Sequence, residues 1–538
     1  MSTAVSNTSG TPQNMFAGSG KYFRFTLRHN LVRYLVWIAV VVGMLAYVIV
    51  FYQSQQKNDP HFLDQFTNIT QAGGMAAMIG KITVTSLAGA VWSKIWMFLA
   101  MTLAIGMVFQ VTKGMRADEE NGRTELFRSR PFGIHSTLTA VVSGALLLCA
   151  VIGILSTLCS IGLGLDPSGA GIIGSVVFGL SIIGCGWLGV GVGALTNQLS
   201  ASASLANSTG SIVIAAFYAL RMVGDMGNNA MVWISPIGWG EKMAPWAENR
   251  GWLIIPAIVL TAVLIAIALI IESRRDYGAG VLRERNGRAD ATPLMRHSWG
   301  LLLHLYKGAI IGWSVGMVFA GFLFGSVAKQ MLDMLSNMKI AMIHGNGMDA
   351  LLGFLLVFIG LIAMVLPVQI MTGLRSDEAK GLTESQLSGG MSRYRLILER
   401  IVVSCCALVL LLLLGGVSMG VSYGAVAKDM SQAWKLALDA LVYLPGILAV
   451  MGIVVLLFGF IPRATIPVTW FLYGVMYFDV LFGDTLKLPN WVSHIMPFTG
   501  TPRIPYESIN ASVFGFAAAA VVFILLGMLG LRKRDVPQ

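Results

Sequence analysis

Apolar stretches of roughly 20 residues, each bounded by a short polar segment, recur along the whole chain. That length is what a helix needs to cross a hydrocarbon core about 30 Å thick. About twelve such runs are found, centred near residues 42, 101, 148, 184, 215, 262, 318, 361, 411, 448, 474 and 521. Their length, and the absence of alternating ten-residue segments, predicts helices rather than an outer-membrane barrel. The expected fold class is an all-α polytopic membrane protein with about 12 transmembrane helices. Composition agrees: 56% of the 538 residues are hydrophobic and 12% charged, against roughly 25% charged in soluble proteins.

One polar loop is written twice. Gly114-Met-Arg-Ala-Asp-Glu-Glu-Asn-Gly-Arg-Thr-Glu125 returns 259 residues later as Gly373-Leu-Arg-Ser-Asp-Glu-Ala-Lys-Gly-Leu-Thr-Glu384, with seven of twelve positions identical. Unrelated segments would share roughly one. Arg274-Arg-Asp276 and Lys533-Arg-Asp535 repeat at the same offset of 259. The chain reads as a duplication with a boundary in the polar connection Glu272 to Lys307. The predicted segments are a disordered tail (1–20), a first transmembrane half (21–272), a linker (273–294) and a second half (295–538). An even number of spans per half makes the halves parallel rather than inverted.

Charge sets the orientation. With the amino terminus and both repeated loops on one side, that side holds about 25 of the 37 Lys and Arg residues, so the loops and both termini are expected to be cytoplasmic. The net charge of +11 is mostly this bias. No basic, aromatic-interleaved domain is present, and no nucleic-acid partner is expected. Cys149, Cys159, Cys185, Cys405 and Cys406 all lie in apolar runs, which disfavours a disulfide framework or a zinc site.

Each half opens with a basic, aromatic stretch, Lys21 to Leu31 and Met295 to Lys307. These read as amphipathic elbow helices or as plain positive flanks. Between its fifth and sixth spans each half carries a Trp- and Pro-rich segment, Met231 to Trp246 and Leu488 to Tyr506. Such segments form short re-entrant helices or anchor the helix ends at the headgroups. Seven glycines from Gly174 to Gly193 mark the fourth span for close helix packing.

A proton- or ion-coupled carrier advertises buried Asp, Glu or His within its spans. Here Lys94, Arg221, Asp439 and Asp479 fall near predicted outer ends, where snorkelling or interfacial water accounts for them. There is no Gly-x-x-x-x-Gly-Lys-Ser/Thr phosphate loop. Leu387-Ser-Gly-Gly390 looks like an ATPase signature, but a membrane span begins near Ile401 where a soluble domain would continue. Its glycines are expected to end a short helix. Energy is therefore expected to enter through the repeated loops, whose acids Asp118-Glu-Glu120 and Asp377-Glu378 suit a short surface helix that another protein could push.

In order and spacing, Arg116 to Leu126, Arg274 to Gly280 and Leu488 to Pro505 resemble the large fused permeases of type-2 ATP-binding-cassette exporters, in particular actinobacterial and Gram-positive tetronasin and multidrug efflux permeases. The resemblance covers nearly the whole chain after the first twenty residues. It implies a bacterial plasma-membrane permease that exports hydrophobic or amphipathic compounds, including antibiotics, by alternating access. No cofactor is held by this chain; ATP and Mg are implied in a separately encoded ATPase that binds as a homodimer. The resemblance nominates Arg116, Asp118, Glu119, Gly122 and Glu125, with Arg375, Asp377, Glu378, Gly381 and Glu384, as ATPase-coupling loops. Leu382 stands where the first copy has Arg123, so the two loops need not be equivalent.

The resemblance also places the pathway on the first, second and fifth spans of each half. Candidate lining residues are Met97, Phe98, Met101, Phe217, Met222, Phe358, Phe471 and Tyr477, since flexible Met and flat aromatic side chains suit promiscuous apolar binding. Two alternatives stand beside this reading: an ion-coupled secondary transporter, and a membrane scaffold or sensor without transport.

Overall fold

A computed structural model describes residues 15–64, 67, 84–122, 132–165, 171–227, 230–275, 280–281, 290, 292–337, 347–486 and 490–534. Glu125, Arg123, Asp276, Asp535, Leu488 and most of the 273–294 linker lie outside the described residues. The described chain is helical. Eleven of its helices are long and apolar enough to cross a membrane. A further 22-residue helix, Thr465–Leu486, occupies the run expected around residue 474. The protein is an all-α, multi-pass membrane protein that clusters into two compact units, Met1–Asn286 and Gly287–Gln538.

The first unit begins with the elbow helix Ser19–His29, which buries Tyr22 and Thr26. Residues 15–20, read from sequence as the end of a disordered tail, are ordered here. The backbone N–H groups of Gly133 and His135 donate to the carbonyls of Ala17 and Met15 at 2.9 and 3.0 Å. The elbow ends at Asn30, whose side-chain amide donates to Thr26 O at 3.1 Å. That local bond competes with helix continuation, and a new helix, Leu31–Asn58, starts as the first span. Spans two to six are Leu87–Gly114, Ser136–Gly162, Gly171–Leu199, Ala203–Gly227 and Ile254–Arg274.

Within this unit the second and fourth spans form the interior: 72% of the apolar window of each is buried, against 17% for the sixth. Glycine makes the central contact possible. A Cβ added at Gly189 would lie 2.2 Å from the carbonyl oxygen of Ala104 on the second span, so the two backbones meet at a distance no other residue permits. Polar side chains then join the same helices, with Trp96 Nε1 donating to Ser181 Oγ at 2.8 Å and Asn197 Nδ2 to Thr112 Oγ1 at 2.9 Å. The fifth and sixth spans are joined by two short helices, Met231–Ile234 and Pro236–Lys242, capped by Ser235.

The second unit repeats this plan with local differences. Its elbow is not separate. After a 3-10 turn at Pro293–Arg296, one 40-residue helix, Ser298–Asn337, runs from the basic flank through the apolar run. Among its described side chains none comparable to Asn30 interrupts it. The remaining helices are Gly347–Ala379, Arg393–Ala427, Gln432–Ala440 with Leu444–Phe460, Thr465–Leu486 and Ala511–Lys533. The short outer helix is Asn490–Ile495. Leu387-Ser-Gly-Gly390 closes the small helix Leu382–Ser388, with Gly389 at its C-cap and Gly390 in the left-handed region at φ +86°.

Candidate functional site

In the first unit the second span ends at Gly114, the chain bends at Met115, and Arg116–Glu120 forms a one-turn helix. This short helix is tied inward. Glu119 is held between two cations: Arg116 Nη1 lies 2.7 Å from its Oε2, and Arg275 Nη2 lies 3.0 Å from its Oε1, all three side chains being under one-tenth exposed. Arg116 Nε also donates to Ala201 O at 3.0 Å. Glu120 Oε1 accepts from the Ala203 backbone N–H at 2.7 Å, which places a carboxylate at the N-terminus of the fifth span. The loop is thereby clasped to the end of the sixth span and the start of the fifth.

The second unit builds the same clasp from the equivalent residues. Glu378 pairs with Arg375, at 3.6 Å, and with Arg534. Arg116, Glu119 and Arg275 correspond to Arg375, Glu378 and Arg534 at the constant offset of 259. The two short motifs that repeat in sequence are therefore each other's partners in space. Gly122 and Gly381, equivalent by the same offset, take left-handed backbone at φ +68° and +71°, which glycine adopts without steric cost.

The two clasps differ. In the second loop no break precedes the acids: Asp377 and Glu378 are the last turn of the helix Gly347–Ala379. Arg400, buried on the third span of this unit, pairs with Asp377 and donates to Ile370 O at 3.1 Å. Its positional equivalent in the first unit is Val141. Arg534 adds a bond to Phe458 O at 2.7 Å and sits 5.2 Å over the Phe458 ring.

These ties change the reading of the acids. The sequence presents Asp118-Glu-Glu120 and Asp377-Glu378 as a charged surface, whereas Glu119 and Glu378 are spent on internal ion pairs. Asp118 and Asp377 are half-buried, and Glu384 is exposed at the start of Leu382–Ser388. Arg275 and Arg534 are the residues that sequence reasoning left out of the site, although their repetition at the shared offset was the signal that pointed to them.

A groove of about 620 Å³ lies in the first unit. Its wall is one face of the second span, at positions 94, 98, 101, 105 and 109, with Met97 and Thr102 beside them. Trp37 of the first span and Tyr218 of the fifth complete it. Met97, Phe98 and Met101 thus line one space. Phe217 and Met222 do not join them: Phe217 is half-buried against the core and Met222 is buried. Lys94, expected near an outer end of its span, is exposed and lines the groove.

The pathway candidates of the second unit are dispersed. Phe358 packs among Phe324 and Phe354 with ring centroids 6.1 and 5.2 Å away. Phe471 is 70% exposed and Tyr477 is half-buried in the core. Six helical positions separate the last two, which turns them to different faces.

Arg221 departs from the expectation of snorkelling or interfacial water. Its side chain is fully buried and pairs with Asp225 Oδ2 at 2.8 Å and with Glu241 on the short helix Pro236–Lys242. Lys242 Nζ lies 3.7 Å from Asp225 Oδ1. Burial raises the pKa of the Glu241 carboxyl, but the hydrogen bond and charge of Arg221 outweigh it, and the net shift is downward. In the second unit Asp479 is likewise buried, accepting from Thr499 Oγ1 at 2.7 Å. In both units a buried polar pair fastens the broken outer segment to the preceding helix.

A family profile described as the C-terminal domain of multidrug efflux system permease Rv1217c matches residues 295–532. That range holds the second unit's loop, Arg375 to Glu384. Over 533 residues, 97% of this chain and 96% of the relative, the chain is 29% identical to the multidrug efflux system permease protein Rv1217c of Mycobacterium tuberculosis. The likeness is to an efflux permease, and it runs nearly end to end.

Proposed function

We propose that the chain is the membrane permease of an efflux system, driven by a separate ATP-binding-cassette ATPase that docks as a homodimer on the two repeated loops. The observation that carries this reading is the doubled clasp. A push on either loop reaches the last span of the same unit through Glu119 and Arg275, or through Glu378 and Arg534, so a partner that moves the loops also moves spans. The similarity to an efflux permease supports export of small hydrophobic or amphipathic compounds. On this reading the protein lies in the bacterial plasma membrane with both termini and both loops cytoplasmic, and ATP with Mg is bound by the partner alone.

The test is export from inverted vesicles holding the chain with and without a candidate ATP-binding-cassette ATPase from the same genome. Uptake of a hydrophobic dye that needs both proteins and ATP is the expected result; uptake by the chain alone under a proton or sodium gradient would overturn it. The second outcome has structural support of its own, because Asp225 and Glu241 are buried carboxylates of the kind that ion-coupled carriers use. Their pairing with Arg221 favours a fixed latch over a proton relay.

A further inference from the structure

We propose that the groove of the first unit is a binding site for lipophilic carboxylates, with the acid group at Lys94 and the apolar body laid along Met97, Met101 and Phe109. This rests on the efflux reading and names its substrate class. Among the described lining residues Lys94 is the one charged side chain, and the rest of the wall is mostly apolar, with hydroxyls only at Thr102 and Tyr218. Among the described residues no carboxylate lies within ion-pair distance of Lys94, which is exposed along the groove. An unpaired cation in an apolar wall is stabilised by an arriving anion, repels a cation and gains nothing from a neutral compound.

The geometry selects an elongated amphiphile. Lys94 and Phe109 mark two ends of one helical face, fifteen residues or about 22 Å apart. Methionines between them adapt to varied apolar shapes. Gly106 forms part of the floor, where the Trp37 indole packs so closely that an added Cβ would lie 2.2 Å from it. The groove's width thus depends on a missing side chain.

Binding can be measured without the ATPase. The full chain in phosphatidylcholine nanodiscs is titrated with pyrene-labelled dodecanoic acid and with the corresponding uncharged amide. The wild type should bind the acid at least about tenfold more tightly, a difference of about 1.4 kcal/mol. Lys94→Met should abolish that preference while amide binding persists, Lys94→Arg should retain it, and Gly106→Ala should weaken both ligands. Equal binding by the wild type, or a preference that survives Lys94→Met, overturns the proposal. Loss of acid binding in phosphatidylglycerol nanodiscs would assign Lys94 to lipid headgroups, and a lower ligand-free melting temperature of Lys94→Met would assign it to a protein carboxylate. Either result also overturns it. ATP-dependent export of the amide is followed separately, so failure of the efflux reading is distinguishable from failure of this one.

Discussion

Glu119 Oε1 stands 3.0 Å from Arg275 Nη2 across 156 residues of sequence, and the equivalent Glu378 and Arg534 form the same pair in the second unit. Each carboxylate holds two arginines, so its removal takes a charged partner from both, at a cost of about 3–5 kcal/mol where, as at Glu119, the pair is buried. Glu119→Gln and Arg275→Gln should each lower the melting temperature and ATP-driven export. The double variant should lose less than the sum, with a coupling of about 1–3 kcal/mol. Strict additivity in thermal unfolding would show that the pair does not act as a unit.

Gly122 and Gly381 isolate the backbone. An added Cβ meets nothing within 4 Å at either position, yet both residues have positive φ. Alanine at either should cost about 1–2 kcal/mol through left-handed strain alone, and asparagine should cost less. Equal stability of the alanine and asparagine variants would remove that explanation.

Glu384 separates docking from folding. It is exposed, with no ion pair described for it, whereas Asp377 is bound to the buried Arg400. Glu384→Lys should leave the unfolding free energy within about 0.5 kcal/mol of wild type while reducing stimulation of the partner ATPase severalfold. Asp377→Asn should destabilise the permease itself. Full ATPase stimulation by Glu384→Lys would take this residue out of the docking surface.

The Glu241 latch should respond to acid. Its folded pKa lies below the ordinary value of 4.5, so its contribution is fully present above that value and is lost as pH falls through the lower folded pKa. The melting temperature should be insensitive to this group from about pH 7 to 5 and should fall below that. Glu241→Gln should start lower and lose this part of the acid dependence. An unchanged acid limb in the variant would mean that other carboxylates dominate.

Which parts of this were legible beforehand follows from what each signal depends on. The elbow at Ser19–His29 could be read because its basic and aromatic residues alternate over one turn. Its failure to recur as a separate helix before residue 307 could not, since that depends on a single capping amide at Asn30. Met97, Phe98 and Met101 were named for their chemistry and share a groove. Phe471 and Tyr477, named on the same grounds, face different ways, because residue type carries no information about which face of an apolar helix meets a cavity.

The sequence by itself determined the class of protein, the position of its helices and the existence of two related halves. The bilayer demands long apolar runs whatever the fold, and duplicated polar loops stand out against them. Tertiary structure alone decided that the two repeated motifs close on each other, that Arg400 makes the second clasp unlike the first, that Arg221 is buried against two acids and that Lys94 lines a groove. A charge in an apolar helix looks the same in sequence whether it reaches for water, a buried acid or a ligand; only the packing of distant helices supplies the partner.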